Sequence, residues 1–179
     1  MFISLIQKRR SIRKFLKKRV EDEKIDLLIE AALRAPSSRG FNPWNFIVVT
    51  EQNVLEKLSL SKQHGSSFLK DAQLAVVVCA DPEKSDVWIE DASIASTFIL
   101  LAAESLGLGT CWIQIRERMH NENKSSQEYV REILNIPKKM EVESIIAMGY
   151  PDEKKPPHSK EELQYEKIHI GFYGKLYKK

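Results

Sequence analysis

Apolar residues along the chain repeat with either a helical or a strand period, and the switches between the two lay out the elements. In EDEKIDLLIEAALRA, residues 21–35, Ile25, Leu28, Ile29, Ala32 and Leu33 fall at i, i+3, i+4, i+7 and i+8, one face of an amphipathic helix. Acidic residues at 21–23 favour its positive N-terminal end, and Pro36 stops it. Upstream, residues 2–9 predict a short helix and SIRKF (11–15) an extended segment. Downstream, the breaker-rich PSSRGFNP leads into a strand at WNFIVVT, a helix near 53–62 and a second strand at QLAVVVCA. From Asp91 to Leu106 the next helix is small or apolar around most of its circumference, with Gly107 and Gly109 ending it. A helix without a polar face must be covered on several sides, and a second subunit is the natural cover in a short chain. TCWIQIR predicts a third strand, SSQEYVREILNIP a helix capped by Ser126 and ended before Pro137, and VESIIAMGY a fourth strand. PDEKKPPHSK is a connection, and the tail IHIGFYGKLYKK is too apolar to hang free, so it is expected to dock. Strands separated by helices give an α+β or α/β core of about four strands.

Bulk properties narrow the class. A chain of 179 residues supports one substantial core, and 1–179 reads as a single domain without repeats or linker. At 42% hydrophobic and 30% charged residues it has an ordinary globular composition. A net charge of +3, with basic and acidic residues interleaved, argues against a nucleic-acid partner. No apolar run reaches the ~20 residues that a membrane-spanning helix needs. The N-terminal charges follow an apolar stretch, the reverse of a secretory signal, and acidic residues follow at once, so the expected location is cytoplasmic. Cys79 and Cys111 each lie in an apolar run and read as buried strand thiols; their spacing excludes a CxxC pair. Four scattered histidines leave no metal-site spacing, so no metal is expected, and no Ser/His/Asp or Cys/His constellation is apparent.

Two stretches could carry chemistry. Arg9, Arg10 and Arg13 surround Ser11. Guanidinium groups match phosphate oxygens as two-pronged donors, and a serine hydroxyl adds another bond. By itself the cluster fits equally a solvated charged face or an RRSI modification sequence. The second stretch, APSSRGFNPW, sets hydroxyls, backbone N–H groups and an amide between a helix end and a strand start. It could read the polar edge of a ring system, or be a turn made of turn-formers with Trp44 entering the core.

In order and spacing, RRSIRKF, APSS…NPWxFIVV, AVVVCAD, DASIAS…LLAAESLGLGTCWI and MGYP resemble the FMN-dependent nitroreductase family across nearly the whole chain. The resemblance implies an α+β fold with a central, mainly antiparallel sheet of four to five strands flanked by helices. It also implies a homodimer holding FMN at its interface, with C-terminal segments wrapping the partner. Arg9, Arg10, Ser11 and Arg13 then contact the phosphate, ribityl chain and pyrimidine edge, with Arg9 assigned to phosphate and Arg13 to the charge that builds on reduced flavin. Pro36, Ser37, Ser38 and Asn42 line the cofactor from the other subunit. Asn42 stands where the family commonly has glutamine, and Gly40 where many members have asparagine. Backbone N–H groups of Ile113, Gln114 and Ile115 face flavin N5, and the Gln114 side chain narrows the substrate side. His64 lies near the pyrimidine edge. Lys154, Lys155, His158 and Lys160 are candidates for a further phosphate contact, Lys155 and His158 foremost.

The activity implied is ping-pong hydride transfer from NADH or NADPH through flavin N5 to an electron-poor acceptor such as a nitroaromatic or a quinone. No side chain need act as acid, base or nucleophile. Alternatives within the fold are dehalogenation, flavin fragmentation and azoline dehydrogenation; outside catalysis, a protein that only binds FMN.

Overall fold

A computed structural model describes residues 2–177. The elements in chain order are α1 (Phe2–Lys8), α2 (Asp22–Leu33), β1 (Trp44–Val49), α3 (Gln52–Ser59), β2 (Leu74–Ala80), α4 (Trp88–Ser105), β3 (Gly109–Gln114), β4 (Met119–Asn121), β5 (Lys124–Ser125), α5 (Ser126–Leu134) and β6 (Glu141–Gly149). Strands β1-β2-β6-β3, in that order, form one sheet whose pairs are all antiparallel. The fold is therefore α+β, as expected, with the sheet order supplied by the structure.

Every residue of β2 is buried, because helices cover both faces of the sheet. Ala75, Val77 and Cys79 join the core under α3 and α5, whereas Leu74, Val76 and Val78 join the core under α2 and α4. The β2–β6 register slips between Val78, opposite Ser144, and Cys79, opposite Val142. Glu143 is the extra residue, a β-bulge in the strand beside β3.

The N-terminal segment leans on the sheet through two glycines. Ile12 donates its N–H to the Thr110 carbonyl at 2.8 Å, and Leu16 donates to the Tyr150 carbonyl at 2.8 Å. A Cβ at Gly109 would lie 2.8 Å from Ile12 Cγ2, and one at Gly149 would lie 3.1 Å from Phe15. Gly109 thus serves close approach at the start of β3, not helix termination. At Gly107, φ is +75°, and this residue follows the α4 C-cap as the sequence pattern predicts.

Several boundaries differ from the pattern-based expectation. Helix α5 is capped by Ser125, whose hydroxyl accepts from Glu128 N–H while Glu128 reaches back to the Ser125 N–H, a capping box. The Ser126 hydroxyl, the expected cap, is instead buried without a hydrogen-bond partner. Helix α3 stops at Ser59, where the hydroxyl bonds the Glu56 carbonyl at 2.7 Å and Leu60 N–H turns to the Lys57 carbonyl. Helix α4 begins at Trp88 rather than Asp91, and a short β4–β5 hairpin, which the apolar pattern does not show, precedes α5.

Two apolar surfaces lack cover among the described residues. Helix α1 has no buried residue, and Ile94 and Phe98 of α4 are each 39% exposed. The tail forms short 3-10 turns and a His169–Leu176 bridge, and leaves Tyr173 94% exposed, so its tip does not dock on its own chain. The last two tail residues, 178 and 179, lie outside the described residues. Among the described residues no helix is long and apolar enough to cross a membrane.

Candidate functional site

The extended segment after α1 runs beside β3, bridging Ser11 to Thr110. That placement brings Arg9, Ser11 and Arg13 around the buried Cys111 thiol, and Lys155 joins them from the segment after β6. Lys155 is fixed there by donating to the Ser11 carbonyl at 2.7 Å and by pairing with Glu153 at 3.1 Å. Glu153 also accepts the Arg13 backbone N–H at 2.5 Å, which holds its carboxyl below the usual carboxylate range, with Lys155 adding to the effect. Burial pushes the Cys111 thiol up, although Arg13, Lys155, Ser11 and Arg9 each pull it down.

The charge balance of this cluster is telling. Among the described residues the Arg9 and Arg13 guanidinium groups have no carboxylate partner; Arg13 lies 5.8 Å over the Phe68 ring. Of the three cations only Lys155 has a carboxylate partner among the described residues, an arrangement that leaves the two guanidinium groups able to meet an anion such as a phosphate monoester. Two flanking clefts, ≈ 740 and ≈ 410 Å³, reach the cluster at Arg13 and Lys155, respectively.

Lys62 is a further cation that the sequence reading missed. Burial lowers its pKa, the neighbouring Arg118 lowers it further, and Cys111 acts in the opposite direction. Nothing in the local SKQHG pattern singles it out; only the return of the loop toward β3 does.

Arg10 and Lys154 share the ≈ 410 Å³ cleft with Lys155, whereas His158 is turned elsewhere. Arg10 donates to the Pro156 carbonyl and, with Lys154, lines the cleft beside Glu104. His158 pairs with Glu162 at 2.6 Å, four residues on, instead of joining the arginines. His64 is exposed on the same loop as Lys62.

The second stretch folds at the other end of the sheet. Ser38 donates its N–H to Asp91 near the start of α4 at 2.8 Å, and the Ser37 hydroxyl bonds the Asn42 side-chain oxygen at 2.7 Å. Pro36 and Ser37 precede this turn, in which Arg39, Gly40 and Asn42 have φ of +53°, +69° and +46°. β1 starts beside this loop at Trp44, opposite Ala80, and ends at Val49, opposite Ala75, on the arginine side. Its five steps at about 3.3–3.4 Å per residue separate the two groups by roughly 17 Å along the strand. The serine loop and the arginine cluster thus lie at opposite ends of the sheet.

Between them lies the outer edge of β3. Ile115 N–H donates to the Glu143 carbonyl at 3.0 Å, toward β6. N–H directions alternate along an antiparallel strand, so Ile113 also points to β6. Gln114 points to the open edge, the one on which Thr110 receives Ile12. Of the three expected backbone donors only Gln114 is available, a correction for Ile113 and Ile115. The Gln114 side chain is also committed: its oxygen accepts from the Trp112 indole at 2.9 Å and its nitrogen donates to Glu143 at 3.1 Å. It therefore does not narrow an outer pocket with a free amide.

The chain matches the Nitroreductase family over residues 6–62 and 59–150. An FMN-dependent nitroreductase from Clostridium difficile R20291 is 49% identical, with a TM-score of 0.94 over 96% of this chain and 99% of that one. A protein of Archaeoglobus fulgidus, provisionally named NADH dehydrogenase/NAD(P)H nitroreductase, is 37% identical over 172 residues, 93% of this chain and 95% of its own. The NADPH:FMN oxidoreductase of Vibrio harveyi, in complex with NAD+, is 26% identical with a TM-score of 0.79, over 98% of this chain and 79% of that one. Family match, high identity and shared architecture agree: the chain belongs to the nitroreductase family.

Proposed function

We propose that the protein is an FMN-dependent oxidoreductase, a single FMN-binding domain that works as a homodimer. It takes hydride from NADH or NADPH and passes it to an electron-poor acceptor, a nitroaromatic or a quinone, in a ping-pong cycle. The observation that carries this reading is the group of Arg9, Arg13 and Lys155, of which only Lys155 has a carboxylate partner among the described residues, beside an open strand edge. FMN, when bound, supplies the redox chemistry through N5.

The chain's own residues then bind and orient. Arg9 and Lys155 meet the phosphate. Arg13, with Lys62, offers positive charge toward the pyrimidine edge, where negative charge builds on reduction. Gln114 N–H faces N5 from the β3 edge. Ser37 and Ser38 sit too far from these groups to serve the same cofactor within one chain, so they serve the partner's. The uncovered faces of α1 and α4 and the exposed tail support such a partner. The name of the Clostridium difficile relative, FMN-dependent nitroreductase, points the same way.

The test is a titration of purified protein with FMN, followed by anaerobic addition of NADH or NADPH and then of a quinone. Bound flavin should lose its visible band and regain it. Arg9→Ala should weaken FMN binding roughly 10- to 100-fold, the worth of a charge-assisted hydrogen bond. Protein that binds no FMN, or bound flavin that neither cofactor bleaches, overturns the proposal.

A further inference from the structure

We infer that Glu143 is a positioning residue for the open edge of β3, holding residues 114–116 so that the Gln114 N–H faces the cofactor. The inference rests on the flavin reading above.

Glu143 is the inserted residue of the β6 bulge and is only 3% exposed. A bulge bends its strand and re-aims its side chain. Here it turns both polar ends of one residue onto the same three neighbours. The Glu143 carbonyl accepts from Ile115 N–H at 3.0 Å and from Arg116 N–H at 3.1 Å. One carboxyl oxygen accepts from Gln114 Nε2 at 3.1 Å, and the other from Arg116 Nε at 3.0 Å.

Donor and acceptor identities leave little freedom in this set. An indole N–H can only donate, so the Trp112 contact at 2.9 Å forces the Gln114 oxygen toward it and the Gln114 nitrogen toward Glu143. Arg116 can only donate as well. Two donors therefore converge on one carboxyl group, which must supply two acceptors. Burying that group is costly unless every bond is made, and here the set is complete. The bonds end at Gln114, whose backbone N–H is the one left pointing outward. Side chain and backbone of Gln114 are thus held from the inner side while its N–H serves the outer.

Glu143→Gln keeps the shape but replaces one acceptor with a donor, so either Gln114 Nε2 or Arg116 Nε faces another N–H. Two measurements on the full-length protein read the result. In the apoprotein, amide exchange at Ile115 and Arg116 should quicken about tenfold, the worth of a hydrogen bond to a charged group. In protein reconstituted with FMN labelled with nitrogen-15 at N5, the N5 resonance should move toward that of free FMN. The turnover number should fall about tenfold, with the KM for NADH and the FMN occupancy unchanged.

Faster exchange with an unmoved N5 resonance and unchanged turnover would show a purely structural residue and overturn the inference. So would wild-type behaviour throughout. If Glu143→Gln fails to fold, Trp112→Phe releases the same set from its other end and should move the N5 resonance in the same direction; an unmoved resonance there overturns it equally. Wild-type protein that takes up no FMN overturns the flavin reading first, and the inference with it.

Discussion

The approach of the N-terminal segment to the sheet predicts an unusually costly Gly→Ala substitution. At Gly109 a new Cβ would lie 2.8 Å from Ile12 Cγ2, 2.9 Å from its Cβ and 3.1 Å from Cγ1. Ile12 is 8% exposed and tied to Thr110 by its N–H, so it has little room to retreat. Overpacking of a filled core costs about 1–3 kcal/mol. With a urea dependence of about 2–3 kcal/mol per molar, the apoprotein's midpoint should fall by roughly 0.5–1 M at fixed protein concentration. Because Ser11 and Arg13 flank Ile12, Gly109→Ala should also weaken FMN binding, by about tenfold for each charge-assisted bond displaced.

The companion variant Ile12→Ala separates the causes. By itself it should cost about 2–5 kcal/mol, as deletion of a buried isoleucine does. Combined with Gly109→Ala it removes Cγ1 and Cγ2, two of the three obstructing atoms, so the double variant should be more stable than the two single losses predict. Gly107→Ala is the control: φ is +75° with no atom within 4 Å, so it should strain the local turn and leave FMN affinity untouched. Wild-type stability and FMN affinity in Gly109→Ala, or strict additivity with Ile12→Ala, would refute the packing of this segment against β3.

Other features yield shorter tests. Ser125→Ala removes the α5 capping box and should cost about 1 kcal/mol in urea unfolding, while Ser126→Ala removes only an unpartnered hydroxyl and should cost less. The Tyr150 hydroxyl bonds Glu21 and, with the Glu21 backbone and Lys18 and Lys24, holds its pKa at about 2. A lowered carboxyl pKa gives stability that is full above its usual 4.5 and is lost as pH falls toward 2. The melting-temperature gap between wild type and Tyr150→Phe should therefore narrow across that acid window; a constant gap would refute the linkage. Phe98→Asp charges the uncovered stripe of α4 and should convert a dimer, seen by light scattering as twice 20.7 kDa, to a monomer with weakened FMN binding.

The sequence was most informative where a residue's role depends on near neighbours. The periods of α2, β2 and α4 follow from burial of one face or two, so the elements could be read from single windows. Roles set by long-range placement were invisible. Gly109 reads as a helix stop until Ile12, far back in the chain, is laid against it. Glu143 reads as one more charge in a strand until the bulge turns it toward Gln114 and Arg116. Arg10 and Arg13 are equivalent in the pattern RRSIR, yet the Pro156 carbonyl takes one and the other remains without a carboxylate. Composition does not separate Lys155 from His158; in the fold Lys155 reaches the Ser11 carbonyl beside the arginines, while His158 pairs with Glu162.

The state of Cys111 bears on what the cations are for. A thiol beside Arg9, Arg13 and Lys155 invites a reading as an activated nucleophile, since neighbouring positive charge ordinarily stabilises a thiolate. Here burial outweighs all three and the net shift is upward, so the thiol stays protonated near neutral pH. Among the described residues only Lys155 of the three has a carboxylate partner, Glu153, and the two guanidinium groups are open to an anion from outside the chain. A reactive Cys111 would imply that the thiol is the target of these charges. Slow alkylation of Cys111 at neutral pH, slower still in Arg9→Ala and Arg13→Ala because those cations pull the thiol's pKa down, is what a thiol dominated by burial requires; fast alkylation would refute it.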